Sequence, residues 1–196
     1  MIISDNNPYT QPSFSLGNRL IRALWAIVWL VLFRPSPRPF HAWRNVLLRL
    51  FGAKIGKAVH VYPNVKVWLP SLLTIGNNVG IANGVTLYNM APIVIHDYCV
   101  VSQGAHLCAG SHDIDSPNFQ LIAKPIVLNK NVWICAEAFV GLGVTIAEGC
   151  VVGARAVVVK NIAQPWTVWA GNPAIQKKIR NEKPAVKKSN NKRPIA

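Results

Sequence analysis

A histidine next to two acidic residues is the clearest candidate in this chain for acid–base chemistry. His112 is followed directly by Asp113, and Asp115 comes two residues later. Because an imidazole titrates near neutral pH, His112 could take the proton of a hydroxyl group that attacks a carbonyl carbon. A nearby carboxylate could hold one tautomer of the ring. We therefore predict His112 as the general base and Asp113 as its catalytic partner, with Asp115 contacting the substrate.

The remaining histidines and the cysteines do not suggest a second site. Their spacing contains no Cys-x-x-Cys pair and matches no zinc-binding frame, so we predict no metal. We interpret the four cysteines as reduced, which favours a cytosolic setting. We expect four histidines to belong to the scaffold rather than to a site: His41, His60, His96 and His106.

A six-residue repeat predicts the element that positions His112. Such a hexapeptide period is typical of a parallel β-helix, in which each turn buries its apolar side by stacking on its neighbours. The position four residues after each aliphatic one usually holds a small or β-branched residue, as a narrow interior requires. The repeating aliphatic residues are Ile55, Val61, Val67, Ile75, Ile81, Leu87, Ile95, Val101, Leu107, Leu128, Ile134, Val140, Ile146, Val152 and Val158.

One long insertion interrupts the repeat directly after His112. Three hexads make a turn of roughly eighteen residues, so the repeats predict about five triangular turns. The stretch 113–127 does not fit the repeat, is polar, and contains Pro117 and Pro125. We therefore predict an all-β solenoid with a projecting loop at about 113–127 and an N-terminal helical extension.

The positive charge lies at the two ends of the chain. Of the net charge of +14, residues 1–57 and 177–196 carry +7 each, and residues 58–176 are neutral. We predict three regions: a helical cap at 1–54, the solenoid at 55–176, and a basic tail at 177–196 that is disordered after about residue 182. The solenoid has no basic stripe with interleaved aromatic residues, so we expect no nucleic-acid partner.

The N-terminal flank is predicted to be helical and admits two interpretations. The fourteen residues from Leu20 to Phe33 are apolar apart from Arg22, and Pro35 ends the helix. Fourteen residues are too few to span a bilayer, which needs about twenty. The segment could cap the open end of the solenoid, or it could lie on anionic lipid as a peripheral contact. The two interpretations are compatible.

Several short motifs resemble those of the hexapeptide-repeat acyltransferases, in particular the sugar O-acetyltransferases that include the maltose and galactoside enzymes and the colanic acid biosynthesis type. The resemblance covers roughly residues 14–180. It implies a left-handed β-helix, a homotrimer with active sites between subunits, and a catalytic role for His112. The motifs are Trp43-Arg44, Phe51-Gly52-Ala53, Ala109-Gly110-Ser111-His112-Asp113, Asn131-Val132-Trp133-Ile134, Ala136-Glu137-Ala138-Phe139-Val140-Gly141 and Ala170-Gly171-Asn172-Pro173-Ala174.

The same resemblance implies acetyl-CoA as the acyl donor and residues that would contact it. Small residues would admit its pantetheine arm, basic residues would bind its phosphates, and Trp133 would form a wall of the site. Val159-Lys160-Asn161 departs from the Thr-Lys-Asp that is common in the family. The predicted donor-binding residues are Trp133, Ala136, Gly141, Ala154, Lys160, Gly171, Asn172, Lys177 and Arg180.

The acceptor is the least constrained part of the prediction. Asn83 lies near the acceptor-binding asparagine of the related enzymes, although Asn-Gly is also a preferred corner dipeptide. The resemblance favours a hydroxyl of an exopolysaccharide sugar or its lipid-linked precursor, modified in the cytoplasm or at the inner membrane face. Three alternatives stay open: another small hydroxyl acceptor such as an antibiotic, serine or free sugar; a non-catalytic scaffold; and a zinc-dependent carbonic anhydrase of the same solenoid type.

Overall fold

The chain folds into a three-sided parallel β-solenoid closed at one end by two helices. The structure is a computed structural model and describes residues 10–181. In each turn the chain passes along a first, a second and a third face in that order. The first face consists of Lys54–Ile55 (β1), Leu73–Ile75 (β4), Ile93–Ile95 (β7), Ile126–Leu128 (β12) and Thr145–Ile146 (β15).

The other two faces are built in the same way, from strands stacked in parallel register except for the last strand of the second face. The second face consists of His60–Val61 (β2), Gly80–Ile81 (β5), Val100–Val101 (β8), Trp133–Ile134 (β13), Val151–Val152 (β16), Thr167–Ala170 (β18) and Ile175–Ile179 (β19). The third face consists of Lys66–Val67 (β3), Thr86–Tyr88 (β6), His106–Cys108 (β9), Phe139–Val140 (β14) and Val157–Val158 (β17).

The hexapeptide repeat supplies the core of the solenoid. The aliphatic position of each hexad points inward and stacks on its equivalent in the next turn, as Ile81 does on Val101 and Ile134 on Val152. All four side chains are fully buried. The corners need backbone that L-residues seldom adopt, and Gly84 and Gly104 take φ values of 75° and 69° where the second face meets the third. The predicted solenoid class is confirmed.

The solenoid is one turn longer than the repeats predict. After β17, Ile162 bridges Ile146 on the first face, and β18 adds a sixth parallel rung to the second face. The last strand, β19, pairs antiparallel with β18. Lys177, which we assigned to the tail, therefore lies in a strand. The predicted disorder beyond about residue 182 concerns residues outside the described range.

The insertion after the third turn begins and ends in strands and is not a loop throughout. Gly110–His112 (β10) pairs antiparallel with Leu121–Ala123 (β11), and His112 lies opposite Leu121. Residues 126 and 127, which we placed in the loop, already belong to β12. Within 113–127 the residues without strands are therefore 113–120, whose two ends the hairpin holds together, and 124–125.

Two helices precede the solenoid. The first, α1, spans Leu16–Val28 and continues as a π-helical turn over Trp29–Phe33; the second, α2, spans His41–Leu50. Within the described residues, Leu16–Phe33 is the one helix long and apolar enough to cross a membrane by length and composition, with 18 residues and a mean hydropathy of 1.6. The helix is thus longer than the fourteen residues that we predicted from the apolar run.

The helices cover the open strand edge of the first turn. The backbone N–H groups of that turn donate to the second turn, for example His60 N–H to the Val79 carbonyl, which leaves carbonyls of the first turn facing outward. Side chains of the helices donate to these carbonyls and so satisfy groups that would otherwise be buried without partners. The pairs are Trp25 Nε1 with Val67 (2.7 Å), Trp29 Nε1 with Val65 (2.8 Å), Arg44 Nε with Val61 (2.6 Å) and Asn45 Nδ2 with Val59 (2.8 Å).

Candidate active site

The imidazole of His112 is held at the end of β10 by a residue of its own hairpin. Its Nδ1 lies 2.9 Å from the carbonyl oxygen of Phe119, and its ring stacks on the Phe119 ring at 4.5 Å between centroids and 9° between planes. Because a carbonyl oxygen only accepts, Nδ1 must carry the hydrogen. In the neutral ring the other nitrogen, Nε2, is then the acceptor on an exposed side chain, as a general base requires.

Phe119 was not predicted as part of the site. It lies seven residues after His112 in the insertion and has a φ of 47°, in the left-handed region that a bulky residue rarely adopts. Its position across the hairpin from His112 follows from the antiparallel pairing of β10 with β11. The sequence feature that could have identified Phe119 is a phenylalanine within an otherwise polar insertion.

The two acids of the insertion make a different contact from the one that we predicted. The Asp113 carboxylate accepts a hydrogen bond from the Asp115 backbone N–H at 3.1 Å, and the Asp113 N–H donates to the Gln120 carbonyl at 2.8 Å. These bonds shape the turn of the hairpin. The orientation of the His112 imidazole comes from the Phe119 carbonyl, not from either carboxylate.

Three of the predicted residues lie along one edge of the prism, where the third face meets the first. His112, Gly141 and Lys160 follow the third-face strands of three successive turns. With about 4.8 Å between neighbouring strands, the strands that His112 and Lys160 follow, β9 and β17, are about 10 Å apart along the axis. The structure thus aligns the candidate base, a residue without a side chain, and a cation along this third–first edge.

The hairpin returns to the solenoid beside the same edge through a residue that we did not predict. The Lys124 N–H donates to the Ala109 carbonyl at 3.1 Å, and the Gly143 N–H donates to the Lys124 carbonyl at 3.4 Å. A Cβ atom on Gly143 would lie 3.1 Å from Cδ of Lys124. Lys124 is exposed, so it adds a second cation to the third–first edge.

A cavity of about 310 Å³ lies at the C-terminal end of the third face, next to Lys160. Its walls are apolar apart from Lys160 and Asn161, and they include Trp169 and the Pro173–Ile175 segment. The Gly171 carbonyl accepts from the Val157 N–H at 2.9 Å, and the Ala174 N–H donates to the Val157 carbonyl at 2.8 Å. The predicted Gly171–Asn172 turn and Lys160 are therefore neighbours.

A second group of predicted residues lies along a different edge, where the second face meets the third. Asn83, Ala136 and Ala154 occupy corners there, and the Asn83 side-chain oxygen accepts from the Asn64 N–H at 3.1 Å. Trp133 begins a second-face strand, is 45% exposed, and donates to the Ser102 hydroxyl at 2.9 Å. The third face separates this second–third edge from His112. Within one chain, the predicted residues on the second–third edge therefore do not lie beside those on the third–first edge.

Arg180 lies at the corner between the first and second faces, away from Lys160 on the third–first edge. Its guanidinium donates to the Gly149 carbonyl at 2.8 Å and lies 5.4 Å from the centre of the Trp166 ring. Gly149 precedes β16, at the corner between the first and second faces. Arg180 and Lys160 therefore lie at different corners of one chain, and the phosphate contact of Arg180 stays a prediction. Lys177 is exposed on β19.

One further histidine has an unusual environment on the third face. His106 lies between the rings of Tyr88 and Phe139, at 6.5 and 5.5 Å, and its Nε2 is buried without a hydrogen-bond partner. This burial lowers the pKa of His106. The burial of Cys99 itself raises the pKa of its thiol to about 12. Residues 10–181 contain no group of three or more His, Cys, Asp or Glu side chains that could hold a metal ion.

Sequence comparison finds relatives among acetyltransferases. WcaF of Escherichia coli (strain K12), provisionally named a colanic acid biosynthesis acetyltransferase, is 43% identical over 162 residues, which are 83% of this chain and 88% of that protein. The galactoside O-acetyltransferase of the same strain is 29% identical over 133 residues, 66% of this chain and 65% of that protein. No family model matches the chain.

Solved structures agree with this relationship. A hexapeptide-repeat acetyltransferase of Vibrio cholerae O1 biovar eltor, solved with acetyl-coenzyme A, superposes with a TM-score of 0.77 at 26% identity over 86% of this chain and 91% of that one. A galactoside acetyltransferase in complex with coenzyme A shares the fold, with a TM-score of 0.79 at 24% identity and 92% coverage of both chains. The solenoid is thus a left-handed β-helix, and the chain belongs to the hexapeptide-repeat acetyltransferases, in the family that includes WcaF.

Proposed function

We propose that the protein transfers an acetyl group from acetyl-CoA to a hydroxyl group of a sugar, with His112 as the general base. Nε2 would remove the hydroxyl proton as the oxygen attacks the thioester carbonyl. The tetrahedral intermediate would then collapse, the C–S bond would break, and the leaving CoA thiolate would take this proton from the imidazolium. The observation that carries this proposal is the hydrogen bond from Nδ1 to the Phe119 carbonyl, which leaves Nε2 free on an exposed edge.

We assign the acetyl-CoA donor to the two edges that border the third face, the third–first edge and the second–third edge. Because Gly141 has no side chain, the pantetheine arm could approach the backbone there. The small side chains of Ala136 and Ala154 would allow a similar approach on the second–third edge, and Trp133 would form a wall of the site. Lys160, beside the 310 Å³ cavity and the Gly171–Asn172 turn, would bind a phosphate, as would Lys177. Acetyl-coenzyme A in the Vibrio cholerae relative supports this choice of donor.

The active site would form between subunits of a homotrimer. His112 and Lys160 lie on the third–first edge, whereas Asn83 and Ala136 lie on the second–third edge. A threefold arrangement would bring the third–first edge of one subunit to the second–third edge of the next. Each of the three clefts would then contain one His112 and one Trp133. The separation of the two groups on the single chain supports this arrangement.

The acceptor would be a sugar of a colanic-acid-like exopolysaccharide or its lipid-linked precursor, with Asn83 and Asp115 as contacts. The 43% identity to WcaF over 88% of that protein supports this choice. The reaction would take place in the cytoplasm, where acetyl-CoA is available, and in part at the inner face of the membrane through peripheral contact of the N-terminal helices.

Release of CoA thiol in the presence of different acceptors tests the proposal. We expect turnover with sugar nucleotides or lipid-linked sugars that exceeds the slow hydrolysis of acetyl-CoA, and product mass increased by one acetyl group. Serine, chloramphenicol and free galactosides test the alternative acceptors. Turnover with one of these and with no activated sugar would overturn the acceptor assignment but not acetyl transfer.

A further inference from the structure

The outward face of α1 carries an apolar stripe that stays largely exposed in the part of the chain that the structure describes. Leu16, Leu20, Leu24, Ile27 and Val31 follow one another at intervals of four, four, three and four residues, which places them on one side of a helix. They are between 52 and 67% exposed. The opposite side carries Trp25 and Phe33, which are buried against the solenoid and α2. The helix therefore has two apolar faces, and the one with Trp25 and Phe33 is the one that is buried.

The stripe continues onto α2. Trp43, Val46 and Leu50 are 41, 43 and 74% exposed and lie at intervals of three and four residues. A shallow cavity of about 380 Å³ joins the two helices and is lined by Val31 and Trp43 together with Phe40 and Leu32. We call these exposed side chains of α1 and α2, with Phe40 between them, the outer cap surface. A soluble monomer seldom exposes such a continuous apolar surface.

The positive charge near the outer cap surface favours an anionic partner. Residues 10–53 contain no Asp or Glu, and four exposed arginines lie on the two helices or between them: Arg19, Arg34, Arg38 and Arg49. A second copy of this surface would bring like charges together as the apolar stripes met. An anionic lipid surface would accept the leucines among its acyl chains and pair its phosphates with the arginines.

The attachment of α1 to the solenoid determines the orientation. Trp25 and Trp29 both donate to carbonyls of the first turn, so the helix lies along the end of the prism. Crossing the bilayer would draw the first turn, with its polar corners, into hydrocarbon. A helix lying in the interface keeps the solenoid in water and its leucines in the acyl region.

We propose that the outer cap surface docks the protein on an anionic phospholipid bilayer, with α1 and α2 lying in the plane of the interface. The His112 hairpin follows the third turn, two strand spacings or about 10 Å from the first-turn strands that the helices cover. Docking would hold the third–first edge close to the lipid headgroups. This inference concerns binding alone and does not depend on acetyl transfer.

Co-sedimentation of the full-length protein with lipid vesicles tests the docking. We expect binding to vesicles of phosphatidylcholine mixed with phosphatidylglycerol, and much weaker binding to phosphatidylcholine alone. The double variant L20E/I27E should lose binding while its circular dichroism spectrum and oligomeric state stay unchanged. I179E is the matched control, because Ile179 is 68% exposed on the last strand of the solenoid, and it should bind like the wild type.

The arginines are tested separately from the leucines. R19Q/R34Q should lower partitioning to anionic vesicles by about thirtyfold, since each of the two basic residues near such a surface contributes roughly 1 kcal/mol. Wild-type protein that stays in the supernatant with anionic vesicles would overturn the proposal. So would L20E/I27E binding as well as I179E, or forming a smaller oligomer than the wild type, which would assign the surface to a second copy.

Discussion

The His112 and Phe119 rings lie nearly parallel, 4.5 Å apart, and the Phe119 carbonyl accepts the hydrogen bond of His112 Nδ1 at 2.9 Å. One residue therefore restricts both the tilt and the tautomer of the imidazole. In many enzymes a carboxylate has this role. Here the nearest acid in sequence, Asp113, is occupied with the Asp115 N–H. A neutral orienting group defines the tautomer without adding a charge to the site.

Replacing His112 by alanine should lower kcat by roughly 10²-fold or more, the range typical of a lost general base. Because the side chain is exposed, the melting temperature and the oligomeric state should not change. Steady-state thiol release measures the first effect, and size-exclusion chromatography the second. Near-normal turnover of this variant would contradict the assignment.

Replacing Phe119 by leucine should lower kcat by about tenfold or less while leaving KM for acetyl-CoA unchanged, because the carbonyl remains and only the stacking is lost. Phe119→Tyr keeps a flat ring and should restore the rate. The imidazole resonances of His112 in NMR spectra should show greater mobility in the leucine variant alone. Equal rates for leucine and tyrosine variants would show that stacking does not position the ring.

Replacing Lys160 by alanine should raise KM for acetyl-CoA by about tenfold, since a charge-assisted hydrogen bond to phosphate contributes roughly 1.5–3 kcal/mol before solvent screening. The value of kcat should change little because β17, the strand before the lysine, lies about 10 Å along the axis from β9, the strand before the His112 hairpin. Lys130→Ala, at an exposed corner between the first and second faces, is the control. The two variants should differ less at high salt.

Replacing Trp25 by phenylalanine should lower the free energy of unfolding by about 1–3 kcal/mol, because the buried Val67 carbonyl loses its donor. Trp43→Phe removes a similar bond to the Leu32 carbonyl on an exposed side chain and should cost less. Urea denaturation followed by circular dichroism measures both. Equal losses would mean that solvent replaces the indole donor at the edge of the first turn.

Stability should fall in mild acid because of His106. Burial lowers the pKa of His106 below its ordinary value of 6.5, so the unfolded chain takes up the proton first as the pH falls. The stability contributed by neutral His106 is complete above about pH 6.5 and is lost between that pH and the lowered folded-state pKa. His106→Leu should unfold at more similar urea concentrations at pH 5 and pH 8. His96→Leu, at an exposed position, should keep the wild-type difference.

The solenoid could be predicted from the sequence because its cause is local and repeated. Each aliphatic residue of the repeat, such as Ile81 or Val101, buries itself against its equivalent in the next turn, so the period alone specifies the faces and corners. The sixth turn was missed because β18 places Trp169, not an aliphatic residue, opposite Val152 in the second-face column. His112 was found because it ends the repeat at the insertion.

The partner of the His112 ring and the orientation of the helices depended on tertiary structure. The approach of Phe119 to His112 needs the antiparallel pairing of β10 with β11, which no period encodes. Helix α1 is apolar on both sides. The side with Trp25 and Trp29 packs on the solenoid because their indole N–H groups donate to the Val67 and Val65 carbonyls, which have no other strand to pair with. Sequence determines what repeats along the chain; only folding decides which distant backbone groups a side chain will satisfy, because that depends on where strand edges are left open.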